Sequence, residues 1–187
     1  MRQRERAHKT IFEPMRIRPF TEMDVNDLVE AVHESHAEIS PWMVWCRPDY
    51  STEHATAWIR DSIAGRALGT SYEFAVIDDS EILAGVCGVN HINNVDRFAN
   101  LGYWIRTSLS GRGIIPAATL AVAEWTFAHT TLNRLEIVVA VGNNRSHRVA
   151  EKVGALREGV LRQRMMVGEI ANDAVMYSLV RPTEVVA

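Results

Sequence analysis

The chain has 187 residues, 47% apolar and 23% charged, with a net charge of -3. That length and balance describe one folded domain with its own core and exclude a disordered chain. The slightly acidic total excludes a partner held by bulk positive charge, so no nucleic acid is expected.

Residues 1–13 are polar and show no sustained periodicity. They read as a flexible N-terminal arm ahead of a single domain over 14–187. Their first nine residues lack an apolar stretch and are not a secretory signal. Met15 to Arg18 alternates and stops at Pro19, a short first strand. Thr21 stands three residues before Asp24, a capping-box-like start. Val25, Leu28, Val29 and Val32 then follow at helical spacing, and Ser40-Pro41 closes that helix. Ser51 or Thr52 opens a second helix carrying Ala55, Trp58, Ile59 and Ile63, which Gly65 or Gly69 ends.

Three strands are expected next, over Tyr72–Ile77, Ile82–Asn90 and Ala99–Ile105, with a hairpin turn at Asp78-Asp79-Ser80 and a loop holding Asn93-Asn94. Residues 115–129 form a mostly buried helix whose polar exceptions are Thr119, Glu124 and Thr126. Leu135–Val141 is an apolar strand. A short helix over Ser146–Val153 ends at Gly154, a left-handed cap. Strands over Leu156–Val167 and Val175–Val180, joined by a polar turn, complete the chain. The order β-α-α-β-β-β-α-β-α-β-β predicts a mixed α/β fold, a sheet of six to seven strands with helices on both faces.

The most apolar run, Ile82–Val89, is far too short to span a bilayer, so no membrane is expected. Cys46 and Cys87 make neither a disulfide framework nor a paired metal-ligand motif. His33 and His36 share a helix face but lack a third ligand, so no metal is expected either. A cytoplasmic protein fits all of this.

The most informative stretch runs from Gly102-Tyr103-Trp104-Ile105 through Ser110-Gly111-Arg112-Gly113-Ile114-Ile115-Pro116. A strand ends, a glycine-containing turn follows and a long helix begins, with Pro116 in its first turn where a missing N–H costs nothing. Such a helix start offers free N–H groups and a positive dipole end to an anion, and a pyrophosphate is the obvious ligand. A dinucleotide fold is the rival, since Gly111-x-Gly113 precedes Glu136 at a suitable distance. The missing third glycine and the position of the strand in a meander oppose it. A plain strand–helix connection is the remaining alternative.

Four segments together resemble the GNAT superfamily of N-acetyltransferases, and within it the RimJ/RimL-like branch that acetylates the N-termini of ribosomal proteins. They are Ile17-Arg18-Pro19-Phe20, Ser40-Pro41-Trp42-x-x-Trp45, Gly102 to Ala117, and Asn143-x-x-Ser146-x-x-Val149-Ala150-x-x-Val153-Gly154. The resemblance spans about residues 15–181. It implies a GNAT fold splayed between the fourth and fifth strands, with acetyl-CoA as co-substrate in the gap. It also implies coenzyme contacts from Trp104, Ile105, Gly111, Arg112, Gly113, Ile114, Ile115, Asn143 and Ser146. A main-chain N–H near Trp104 and Ile105 would hold the oxyanion, and the amine would attack directly. Trp42, Trp45, Glu73 and Asn100 are the acceptor-side residues. A homodimer is plausible for this branch.

The chain departs from the family pattern at several points. Ser110 stands where Gln or Arg is usual, and Ile115 where Gly or Ala is common. Asn100 replaces a frequent basic Glu, Met165 takes the place of another, and Ala150 replaces a frequent acidic Tyr. Ser146 is the remaining acid candidate, either protonating the leaving thiolate or merely capping its helix. Glu73, His91 and Asp173 are candidate proton acceptors through water. Cys87, Met165 and Met166 would shape the acyl pocket only if they face it. Arg157, Arg162 and Arg164 form a local basic face.

A weak base matches an α-amine, of pKa about 7.7–8.0, better than a lysine near 10.4. The expected function is therefore acetyl transfer to a protein N-terminus, and the resemblance implies one of the ribosomal-protein type. A small-molecule amine acetyltransferase and a non-catalytic acyl-CoA-binding domain are the alternatives.

Overall fold

The computed structural model describes residues 15–182. The arm expected over 1–13 lies outside the described residues. Strand β1 (Met15–Pro19) leads into helices α1 (Val25–Ile39) and α2 (Thr52–Leu68), then strands β2 (Tyr72–Asp78), β3 (Leu83–Asn93) and β4 (Phe98–Ile105). Helix α3 (Ile114–His129), strand β5 (Arg134–Ala140), helix α4 (Asn144–Lys152) and strands β6 (Leu156–Val167) and β7 (Ile170–Val180) follow. The expected element order holds throughout. The sheet order is β1-β2-β3-β4-β5-β7-β6, antiparallel except for the β4–β5 pair. Among the described residues no helix is long and apolar enough to cross a membrane.

Strand alternation divides the interior into two clusters. Phe74, Val76 and Leu101 pack with Ile114, Ala118 and Val122 of α3 and Ala150 of α4. Ala75, Ile77, Val86 and Trp104 point the other way and pack with Leu28 and Val32 of α1 and Ala55 and Ile59 of α2. Side chains of one strand point to opposite faces at a period of two, so one sheet serves two helical layers.

Local chemistry sets the helix ends. The Asp24 carboxylate accepts the Thr21 N–H at 2.8 Å, the expected capping contact. Ser51 is the N-cap of α2, and Gly69, in the left-handed region at φ 71°, ends it. The buried stripe of α2 is Ala55, Ile59, Ser62 and Gly65, so Ile63, expected on the apolar face, is 43% exposed. In α3 the two buried threonines satisfy their hydroxyls on the preceding turn, Thr119 to the Ile115 carbonyl and Thr126 to that of Val122, both at 2.7 Å.

Three boundaries differ from expectation by two residues or more. β3 continues past Asn90 through a register shift, with His91 in the left-handed region at φ 51°, and Asn93 is thereby a strand residue. β7 begins at Ile170, because the β6–β7 hairpin absorbs its irregularity as bulges within the ladder. The Asp173 carboxylate accepts the Gln163 N–H at 2.8 Å at one of them, which makes Asp173 a bulge-shaping residue within the ladder. α4 begins two residues before Ser146.

The site depends most on where β4 and β5 part. Only Phe98–Asn100 pair with Arg134–Glu136. Arg134 clamps that closed end, reaching Glu136 at 2.9 Å and Glu158 at 2.6 Å. Its guanidinium, helped by the Ser178 hydroxyl, holds the Glu158 carboxyl down to about 2. Beyond Asn100 the strands diverge. At the far end the turn after β4 is tied to α1. Arg106, buried, reaches Glu30 at 2.7 Å and Glu34 at 2.9 Å, Ser108 N–H donates to Glu34 at 2.8 Å, and Thr107 N–H donates to Ser35 Oγ at 3.0 Å.

Candidate active site

The gap leaves one edge of β4 without a partner. Arg106 N–H bonds the Ala84 carbonyl at 2.6 Å, and the Arg97 carbonyl accepts from Asn133 N–H at 2.7 Å on the β5 side. Main-chain groups alternate in direction along a strand. Gly102 and Trp104 therefore turn to β3, while Tyr103 and Ile105 present their N–H and C=O to the gap. Of the two residues expected to offer main-chain groups to the coenzyme, Ile105 faces its groups to the gap. Trp104 faces its groups to β3, and Tyr103 shares the gap-facing parity of Ile105.

A cavity of about 190 Å³ lies along this edge. Its lining includes Ile39, Trp42 and Met43 after α1, Tyr103 to Ile105, and Ser110, Gly111, Gly113, Ile114 and Ile115 of the turn. Gly111 and Gly113 both sit at φ 82°, a left-handed conformation that side-chain-bearing residues adopt only at a cost. Those two residues fold the chain so that α3 starts with its N–H groups facing the cavity. Arg112 is not in the lining; its guanidinium turns back to the Ser108 carbonyl at 3.5 Å.

From α4 come Asn143, Ser146 and three cations, Arg145, Arg148 and Lys152. Among the described residues none of the three is ion-paired. Their helical spacing was legible in the sequence as a basic stripe facing one side, yet only Asn143 and Ser146 were singled out there.

Asn143 is the N-cap of α4: its side-chain oxygen accepts the Ser146 N–H at 3.1 Å. The cap role left open for Ser146 thus belongs to Asn143, since Ser146 sits inside the first turn. Asn143→Ala should cost about 1 kcal/mol of stability in urea unfolding, and Asn143→Asp should keep most of it. The Ser146 hydroxyl instead donates to the Tyr103 hydroxyl at 3.1 Å, which donates to the Ser146 carbonyl at 3.0 Å. Burial holds the Tyr103 phenol far above its ordinary range, against the opposing Ser146 bond. Tyr103 supplies a phenol from β4 although Ala150 stands where a tyrosine was sought on α4.

A second cavity, of about 580 Å³, opens on the α1–α2 side. Trp45, Tyr50, His54, Trp58 and Trp104 form its aromatic wall, and Glu73, Asn90, His91, Asn100 and Gly102 its polar floor. Trp45 and Trp104 lie 6.0 Å apart between ring centroids. Trp42 and Trp45, expected together, are separated. Trp42 belongs to the first cavity, against Gly142, and Trp45 to the second, because the loop turns between them at Met43. Cys87 is fully buried beside Thr119, and neither it nor Met165 or Met166 lines either cavity. Met43, Tyr103 and Trp104 border both cavities, which adjoin there.

Residues 15–156 match the family model described as an acetyltransferase (GNAT) domain. The chain is 30% identical over 170 residues to YdaF of Bacillus subtilis (strain 168), whose name proposes a ribosomal N-acetyltransferase, covering 90% of this chain and 92% of that one. It is 24% identical over 168 residues to the ribosomal-protein-serine acetyltransferase of Escherichia coli (strain K12), covering 90% and 93%. The structure of RimL, a ribosomal L7/L12 alpha-N-protein acetyltransferase in complex with coenzyme A, superposes with a TM-score of 0.83 at 23% identity, over 89% of this chain and 94% of that one.

Proposed function

The chain belongs to the acetyltransferase (GNAT) family, and from that premise we propose that its acceptor is the α-amine of a protein N-terminus, of the ribosomal-protein kind. The reaction itself is acetyl-CoA-dependent N-acetylation by direct transfer to an amine. The observation that carries the acceptor reading is the lining of the second cavity. It holds one carboxylate, Glu73, among Arg47, His54 and His91. A polyamine or aminoglycoside brings several positive charges and needs several carboxylates. An N-terminal peptide brings one ammonium and a neutral backbone, which an aromatic wall with one carboxylate matches. The names of YdaF and the Escherichia coli relative support the same acceptor.

On this reading acetyl-CoA fills the first cavity. Its pyrophosphate would take the N–H groups at Gly111, Arg112, Gly113, Ile114 and Ile115, where the α3 dipole favours an anion. Its amide-bearing arm would pair with the open edge at Tyr103 and Ile105, near Asn143. The N–H at Ile105 would polarise the thioester carbonyl and stabilise the oxyanion. Arg145, Arg148 and Lys152 would meet the remaining phosphate. Replacing Arg148 or Lys152 by Ala should raise the KM for acetyl-CoA about tenfold, the loss of one charge-assisted contact of about 1.4 kcal/mol. The same changes should matter little for acetyl-dephospho-CoA in steady-state kinetics. Equal effects on both donors would remove the cations from that role.

Thiol release from acetyl-CoA tests the acceptor, against a panel of N-terminal peptides, lysine-bearing peptides, polyamines and aminoglycosides. Turnover on free N-termini supports the proposal. Turnover confined to small amines replaces it with a small-molecule acetyltransferase. Tight coenzyme binding with silence across the panel points to a non-catalytic acyl-CoA-binding domain.

A further inference from the structure

Three polar side chains form a row across the floor of the second cavity, one from each of β2, β3 and β4. Asn90 Nδ2 donates to Glu73 Oε1 at 3.0 Å, and Asn100 Nδ2 donates to Asn90 Oδ1 at 2.9 Å. An ionised carboxylate only accepts, so Asn90 must offer it the NH₂ end. That orientation turns the Asn90 oxygen to Asn100, whose N–H it accepts, and Asn100 is turned with its own Oδ1 outward. Every amide is oriented by the carboxylate at the end of the row.

Gly88 makes room for that carboxylate. A Cβ at this position would stand 1.8 Å from Glu73 Oε2 and 2.9 Å from Glu73 Cα. The Glu73 carboxyl therefore lies over the β3 backbone, drawn in from β2 towards β4. Gly88 pairs with Gly102 of β4, which also has no side chain. One strand spacing, about 4.8 Å, separates the two glycines, and neither carries a side chain to fill the space beside the Glu73 carboxyl. Among the described residues Glu73 Oε2 and Asn100 Oδ1 have no hydrogen-bond partner, and no fully buried side-chain oxygen lacks one. Both atoms thus open onto the cavity.

We propose that Glu73 is the proton acceptor of the transfer, through one cavity water, and that Asn100, positioned by Asn90, holds the acceptor nitrogen by its side-chain carbonyl. This rests on the α-amine reading above. The ammonium N–H bond breaks and its proton passes through water to Glu73 Oε2. The freed lone pair forms the C–N bond to the thioester carbon, and the C–S bond breaks with its electrons on sulfur. The second nitrogen proton ends on the coenzyme thiol, and Glu73 releases its own proton to solvent. The carboxylate that the family pattern places at position 100 is thus supplied from two strands away.

The groups facing Glu73 agree with this role. Arg66 of α2 bonds the Glu73 main-chain carbonyl at 3.1 Å, and Cys87 of β3 is buried nearby. Arg47, Tyr50, His54 and His91 line the same cavity. Burial pushes the Glu73 carboxyl up, while the Asn90 bond and the Arg66 charge pull it down. The net rise lies in the direction that strengthens Glu73 as a proton acceptor.

The test is kcat/KM from pH 4.5 to 9.5 on the N-terminal peptide that turns over fastest. At pH 7 about a tenth of an α-amine is already free. Glu73→Gln should therefore lose about tenfold there and converge on the wild type above about pH 9, where the amine needs no base. Glu73→Asp should recover part of the rate at pH 7. A defect of equal size at every pH, or no defect, overturns the proposal. Asn90→Ala is the second variant: without its bond Glu73 titrates higher, and the acid limb of the profile should move to higher pH. An unmoved limb also overturns it. A wild type silent on every N-terminal peptide sinks the acceptor reading itself, a distinct result.

Discussion

Gly113→Glu should abolish acetyl-CoA binding while the protein stays folded. Position 113 is the N-cap of α3, in the left-handed region at φ 82°. A Cβ built there meets nothing within 4 Å, so the side chain has space and the fold loses only about 1–2 kcal/mol of stability to backbone strain. The new carboxylate would stand at the mouth of the first cavity, where the helix start is set to receive a pyrophosphate. Two like charges about 4 Å apart near a protein surface repel by about 4 kcal/mol, which is roughly a thousandfold in affinity. Gly113→Asn carries no charge and tolerates the left-handed conformation, so it separates strain from repulsion. Calorimetric titration with coenzyme A should show binding lost in the Glu variant and largely kept in the Asn variant. Wild-type affinity in a folded Glu variant would remove the turn from the coenzyme site.

The order of elements was legible because apolar periodicity is a local signal. The α3 start was legible for a related reason: two glycines and a proline within six residues dictate a turn and a helix entry. What escaped were relations between distant residues. Tyr103 and Ser146 stand 43 positions apart and meet only because β4 and β5 diverge to leave α4 facing β4. The row of Glu73, Asn90 and Asn100 depends on strand register, which no single strand specifies. The separation of Trp42 from Trp45 turns on backbone geometry in the loop after α1, where spacing alone suggested a shared wall. Asp173 and His91 were equivalent as sequence candidates. The fold puts His91 at a bulge on the cavity floor and Asp173 in a hairpin ladder.

The second large effect is expected at the other end of the proton path. Ser146→Ala should lower kcat by about a hundredfold, the lower end of what a positioned proton donor contributes, and leave coenzyme affinity unchanged. The helix itself should not suffer, since Asn143 provides the cap. The hydroxyl lost is one whose proton points at Tyr103, and burial keeps that phenol protonated throughout the working pH range. For Ser146 to protonate the leaving sulfur both hydroxyls must turn, the phenol from the Ser146 carbonyl to the Ser146 oxygen. The phenol then resupplies Ser146, the second nitrogen proton restores the phenol, and the two hydroxyls act as one donor. Tyr103→Phe should therefore slow turnover as well, and the double variant should be about as slow as Ser146→Ala alone. Such non-additivity is the mark of residues working as a unit. Single-turnover rates with N-terminal peptides, measured for both single variants and the double, decide it. Multiplying losses would assign the hydroxyls separate roles, and wild-type turnover in Ser146→Ala would leave Ser146 as a partner of Tyr103 with no part in the chemistry.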